Sequence, residues 1–301
     1  MIFSHVDGFI NHLRIEKSAS KLTQAGYRAD LTQYLNFLSS KYSLPLEEIS
    51  FEYLNHKTVR EYLVSMQNNG LSRATMARRL ASLRSFVKYL CRENIIPGNP
   101  LSAVSTPRQD KKLPRFLYSM EIKMLLEAPD TNTPMGRRDK AILEILYACG
   151  IRVSELVDLD VNDIFFDEEL IKVHGKGSKE RIVPLGSMAK AALQEYLSLA
   201  RPYIKRDQSE QALFLNRFGQ RLSTRSIRNI LNKYVEMVAI NQKTSPHTLR
   251  HTFATHMLNE GADLRSVQEL LGHVSLSTTQ IYTHLTRENI KTIYDEKHPR
   301  G

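Results

Sequence analysis

The sequence predicts a mainly α-helical protein with a small antiparallel β-sheet, divided into two domains. Three observations predict this. Apolar residues recur at helical spacing through the first hundred positions, four of the 11 prolines fall between Pro97 and Pro114, and three short β-branched or aromatic segments follow one another in the second half. Proline removes backbone donors and excludes helix, so residues 107–115, with Arg108, Lys111, Lys112 and Arg115 among them, read as an extended basic linker. A helical domain at 1–106 and a mixed domain at 116–301 follow, about what the usual ~150 residues per domain allow for 301.

Each element has a local reason. Ser20 is placed to cap a helix running to about Ser40, with Leu31, Tyr34, Leu35 and Leu38 on one face. A second covers roughly Lys57 to Gln67 and is closed by Asn68, Asn69 and Gly70. After Ser72, residues Met76, Leu80, Leu83, Val87 and Leu90 fall within a sector of about 80°, a core stripe. Arg73, Arg84, Lys88 and Arg92 flank it as a basic stripe, a solvated face or one that tracks phosphates. In the second domain a helix from about Asp139 to Cys149 stops at Gly150, and a short one follows Ser154. Ile164–Phe166, Leu170–Val173 and Arg181–Pro184 are the sheet segments. Helices are expected near Met188–Leu199, Thr224–Val238, Thr248–Asn259, Leu264–Leu271 and Thr278–Leu285, the last with a capping-box pair in Ser277 and Gln280.

Composition narrows the function. With 42 Lys+Arg against 32 Asp+Glu the formal charge is +10, and residues 1–110 hold 14 basic and 9 acidic side chains, half of the excess. The charge is therefore shared between the halves rather than concentrated in a tail, which points to a polyanion facing both. The longest uninterrupted apolar run, Ile145 to Ile151, is far short of the ~18 residues a membrane span needs, and no insertion is expected. The start has no basic segment leading into an apolar block, so no signal peptide is expected. Two cysteines, Cys91 and Cys149, fit a reducing cytoplasm.

Several chemistries are excluded by motif. There is no P-loop and no GxGxxG. His247 and His251 stand four apart, but no HExxH or nearby third ligand accompanies them, so neither metal nor other cofactor is expected. What remains is a scatter of cationic or proton-carrying residues at element boundaries: Arg152 after the Gly150 stop, Lys176 in the glycine-flanked turn Gly175-Lys176-Gly177, His247 and Arg250 opening a helix, His273 after Gly272, and Tyr282 nine residues on. Singly each has a structural reading: Arg152 paired with Glu155, Lys176 a solvated turn, Tyr282 a half-buried ring.

Together their order and spacing resemble the tyrosine recombinase (phage integrase) family, most closely its Xer branch. The stretches that carry the resemblance are Gly150 to Leu156, Gly175 to Arg181, His247 to His256, Leu270 to His273 and Gln280 to His284. It spans nearly the whole chain, since residues 1–106 are similar to the family's core-binding domain. The resemblance implies a two-domain DNA clamp whose catalytic set is Arg152, Lys176, His247, Arg250, His273 and the nucleophile Tyr282, joined to DNA as a 3′-phosphotyrosine. It implies DNA contacts through the first domain and linker, here Arg73, Arg84, Lys88, Lys111 and Lys112. It also implies a cyclic tetramer on two sites, of this chain alone or with a related recombinase, a DNA translocase as activator, a nucleoid-associated place in the cytoplasm, and resolution of chromosome dimers. The segment after Arg287, with Ile290, Ile293 and Tyr294 at helical spacing, has two readings: packing on its own domain, or, by resemblance, docking on a neighbouring subunit.

The residue types suit that chemistry. A phosphodiester attacked by an oxygen nucleophile passes through a phosphorane with two charged non-bridging oxygens, which fixed guanidiniums stabilise. A phenol of pKa ~10 needs help to lose its proton, and the departing 5′-oxygen needs one. The rivals are an integrase of a mobile element, disfavoured because no arm-site domain precedes the first helices; a type IB topoisomerase; and a DNA-binding protein without catalysis.

Overall fold

The computed structural model describes residues 1–107, 116–175, 180–240, 244–272 and 285–300, with 285–290 as backbone. The chain divides into two compact units, Met1–Lys112 and Leu113–Gly301.

In the first unit, capping side chains set where the helices start. Helix α1 (Val6–Ile15) precedes α2 (Lys21–Tyr42), whose Ser20 cap accepts the Thr23 N–H at 3.2 Å. Asn55 accepts from Lys57 and Thr58 at the head of α3 (His56–Asn68), and Ser72 accepts from Thr75 at the head of α4 (Arg73–Arg92). The predicted stripe of α4 is buried throughout and meets Phe9, Leu31, Tyr34, Leu35 and Leu38, each large side chain contributing about 1.5–3 kcal/mol by leaving water. Between α2 and α4 lies buried Asp30, accepting from Ser82 Oγ at 2.7 Å and ion-paired with Arg78. An unpaired carboxylate there would be costly, so this pair fixes how α4 faces α2.

The second unit is built round one helix. After α5 (Ser119–Glu127), α6 (Pro134–Ala148) is buried on every side over Ala141–Ala148, with α7 (Val153–Asp158) directly after it. Strands β1 (Ile164–Phe165), β2 (Leu170–His174) and β3 (Glu180–Pro184) form an antiparallel sheet in that order, Val173 opposite Arg181 and His174 opposite Glu180. There follow α8 (Ser187–Leu199), α9 (Arg201–Ile204), α10 (Thr224–Met237), α11 (Pro246–Asn259), α12 (Leu264–Leu271) and α13 (Leu285–Lys297). Among the described residues no helix is long and apolar enough to cross a membrane.

Three expectations need amendment or fall elsewhere. Helix α6 begins at Pro134 rather than near Asp139, because Thr133 accepts the Gly136 N–H at 3.0 Å and proline supplies a preset φ at the first helical position. The turn with Lys176, the linker residues Lys111 and Lys112, His273, and the Thr278–Leu285 helix with Tyr282 lie mostly or wholly outside the described residues. The C-terminal segment packs on its own unit: Tyr294 is fully buried, stacked on His298 at 4.7 Å, and Arg300 pairs with buried Glu144. Tyr294 is thus packed as in the first of the two readings given above.

Candidate active site

Gly150 ends α6 in the left-handed region, φ +55°, where a Cβ would also stand 2.5 Å from the Phe253 ring. The chain can therefore turn sharply, and two residues later Arg152 opens α7. Its backbone N–H donates to Glu155 Oε2 at 2.8 Å and its guanidinium to Oε1 at 2.7 Å. The Arg152 side chain remains 41% exposed, so its outer edge reaches solvent.

Arg250 comes to the same place from α11. Ser245 caps that helix, with Pro246 at its first position and His247 exposed on its first turn. One turn further on, Arg250 is buried, donating to the Gly150 carbonyl at 2.7 Å and the Leu271 carbonyl at 2.5 Å. Burial lowers its pKa to about 10, with the like charge of Arg152 adding to the effect. It stays cationic at neutral pH, in a setting that an incoming anion would relieve.

Sequence reasoning assigns no role to a third guanidinium. Arg181, at the start of β3, donates to both Glu155 oxygens, at 3.0 and 2.9 Å. The Glu155 carboxylate thus accepts four N–H groups, near its full capacity. Burial alone would raise its pKa, but Arg181 first, then the Arg152 N–H, bring it down to about 2. Three guanidiniums consequently surround one carboxylate, leaving net positive charge at the start of α7. The available signals were Glu155 at i+3 from Arg152 and Arg181 opening the strand after the turn.

In the first unit the predicted phosphate-facing residues separate. Arg73 and Lys88 are exposed on α4, whereas Arg84 is half-buried, donating to Thr106 Oγ1 at 2.6 Å and to the Val104 carbonyl. Arg92 is held by Glu16 at 2.8 Å and by Glu93. Only part of the basic stripe thus faces outward.

Comparison with known proteins places this geometry. Residues 115–289 match the phage integrase family and residues 6–94 its N-terminal SAM-like domain. The chain belongs to the phage integrase family, the tyrosine recombinases. The recombinase is 54% identical to the tyrosine recombinase XerC of Pelotomaculum thermopropionicum, covering 100% of this chain and 99% of that one. It is 46% identical to the XerC of Oceanobacillus iheyensis, over 99% and 96% of the two chains. Among solved structures it is similar to the XerH site-specific recombinase bound to palindromic difH substrate in a post-cleavage complex, with a TM-score of 0.70, 26% identity, and 96% and 83% coverage. The recombinase is accordingly an enzyme of DNA strand exchange by transesterification, and its small sheet and surrounding helices are those of the family.

Proposed function

We propose that this recombinase acts at a dif-like chromosomal site and resolves chromosome dimers before division, joining DNA transiently to Tyr282. What supports the cleavage chemistry most directly is the convergence of solvent-reaching Arg152 and buried Arg250 on a net-positive site at the start of α7; the XerC relatives and the XerH–difH structure support the kind of site. Two guanidiniums there can hold the two non-bridging oxygens of one phosphodiester, which a structural ion pair does not require.

On this reading Tyr282 attacks the phosphorus in line with the 5′-oxygen. His247 takes the phenolic proton, with His273 bonded to the phosphate or sharing that task, and Lys176 protonates the leaving oxygen. The product is a 3′-phosphotyrosine and a free 5′-hydroxyl, which conserves the ester. A partner strand's 5′-hydroxyl then reverses the step, so neither a nucleotide nor a metal is consumed. Domains at 1–106 and 116–301, joined by 107–115, would close round the duplex, holding it chiefly by phosphates through Arg73, Lys88, Lys111 and Lys112. Arg84 belongs to this set through its helix rather than by direct reach, given its bonds to Val104 and Thr106. Two sites and four protomers, of one or two kinds, would make the complete assembly, with a translocase licensing it.

Two experiments bear on this. Lys176→Ala should lose cleavage of an ordinary phosphodiester and regain it on a 5′-bridging phosphorothiolate, whose leaving group needs no proton. Absence of rescue would remove Lys176 as the acid. Covalent capture on the source genome in EDTA, followed by sequencing of the attached DNA, should return one chromosomal locus with two inverted half-sites. Attachment at the ends of a mobile element would favour the integrase reading instead.

A further inference from the structure

We propose that Arg181 is a positioning residue for strand cleavage, one guanidinium that ties α7, which Arg152 opens, to the end of α12, whose last carbonyl Arg250 grips. This rests on the reading of Arg152 and Arg250 as the phosphate clamp. Its two terminal nitrogens hold Glu155, the carboxylate that orients Arg152, while its Nε donates to the Leu270 carbonyl at 3.2 Å. Arg250 grips the next carbonyl, Leu271, and the Gly150 carbonyl two residues before Arg152. The C-terminus of α12, with its otherwise orphaned carbonyls and partial negative charge, is thereby tied by two arginines to the start of α7.

The surroundings are shaped for it. Gly272 ends α12 at φ +64°, and a Cβ there would come within 3.0–3.1 Å of the Arg181 side chain. Arg181 itself is 16% exposed, and Glu155 4%, so the pair is shielded from competing water. A planar fork is required: lysine at 181 could reach one carboxylate oxygen but not both plus the carbonyl. Arg181 also lies five residues past Lys176, and Leu270 three before His273. A shift at this junction would move Arg152 and Arg250, and an error of about 1 Å at a group holding the reacting phosphate costs up to about 100-fold in rate.

The charged groups facing Glu155 among the described residues are Arg152 from its own helix, Arg181 from β3 and, further off, Arg250 from α11. Without Arg181, burial is opposed by one fewer cation, so the carboxyl titrates upward. Its charged form, and with it the hold on Arg152, is then lost as pH falls.

The test uses the full-length recombinase and a nicked suicide duplex bearing the captured locus. Duplex affinity, melting temperature and the rate of covalent adduct formation are measured from pH 8 to pH 5. Arg181→Gln should bind the duplex within a few-fold of wild type, form adduct on the order of 10- to 100-fold more slowly at pH 8, and lose further rate as pH falls. In Arg181→Gln/Glu155→Gln the added acid limb should vanish, since no carboxyl remains to titrate. Arg181→Lys should fall between wild type and Arg181→Gln, and it carries the same test should the glutamine variant melt below assay temperature. Variants whose rates match wild type, or whose pH profiles run parallel to it, overturn the inference. A wild-type protein that forms no adduct on this duplex removes the phosphate-clamp reading and the inference with it.

Discussion

Tyr282→Phe is expected to abolish covalent protein–DNA adducts while leaving duplex binding unchanged within a factor of two or so. The phenol oxygen is the only atom removed, so charge, ring size and the basic surface are preserved. Binding depends on phosphate contacts, which the substitution does not touch. Adduct is read by denaturing gel on a nicked suicide substrate, and affinity by mobility shift on the same duplex. Adduct that survives the substitution would show that another residue is the nucleophile and would undo the assignment of the whole constellation.

The second large effect belongs to Arg250. Arg250→Lys keeps a positive charge but cannot reproduce two prongs, one on the Gly150 carbonyl and one on Leu271, while also presenting an edge to phosphate. The adduct-forming rate should fall by on the order of 10²–10³, about 3–4 kcal/mol of barrier, the range for losing one preorganised donor to a developing oxyanion. Some loss of stability accompanies it, because a buried carbonyl left without a donor costs about 1–3 kcal/mol. The two effects separate by temperature. Single-turnover rates well below the melting midpoint report the clamp, and the midpoint reports the fold. A rate within tenfold of wild type there would mean that Arg250 is a structural tie and that the anion is held elsewhere.

The helices of the first unit were legible because short-range rules decide them. Ser20, Asn55 and Ser72 cap by bonding backbone two or three residues away, and Met76, Leu80, Leu83, Val87 and Leu90 share one stripe whatever they meet. The strand segments Leu170–Val173 and Arg181–Pro184 were legible for the same reason, as short β-branched runs; the structure sets Val173 opposite Arg181. Helix α6 shows where periodicity fails. Buried on all sides over Ala141–Ala148, it has no polar face to mark its extent, and its start was to be found in Thr133-Pro134. Arg152, His247 and Arg250 were legible as motif positions and, by resemblance, as one set; that Arg250 holds the carbonyl two residues before Arg152 was not.

What the linear order of residues settled alone was most of the inventory: the longer helices of the first unit other than α1, where the sheet lies, and that cations and imidazoles stand at element ends. Folding decided which of those cations look outward and which are spent on the protein itself. Arg84 and Lys88 are four residues apart on one helix, yet one braces Val104 and Thr106 while the other stands exposed. Arg181 and Glu155, 26 positions apart, become one unit with Arg152 and the end of α12. The reason is physical. Capping and amphipathicity act over one or two turns, whereas a guanidinium finds its carboxylate or carbonyl only after the backbone has brought distant segments within about 3 Å, the reach of a hydrogen bond.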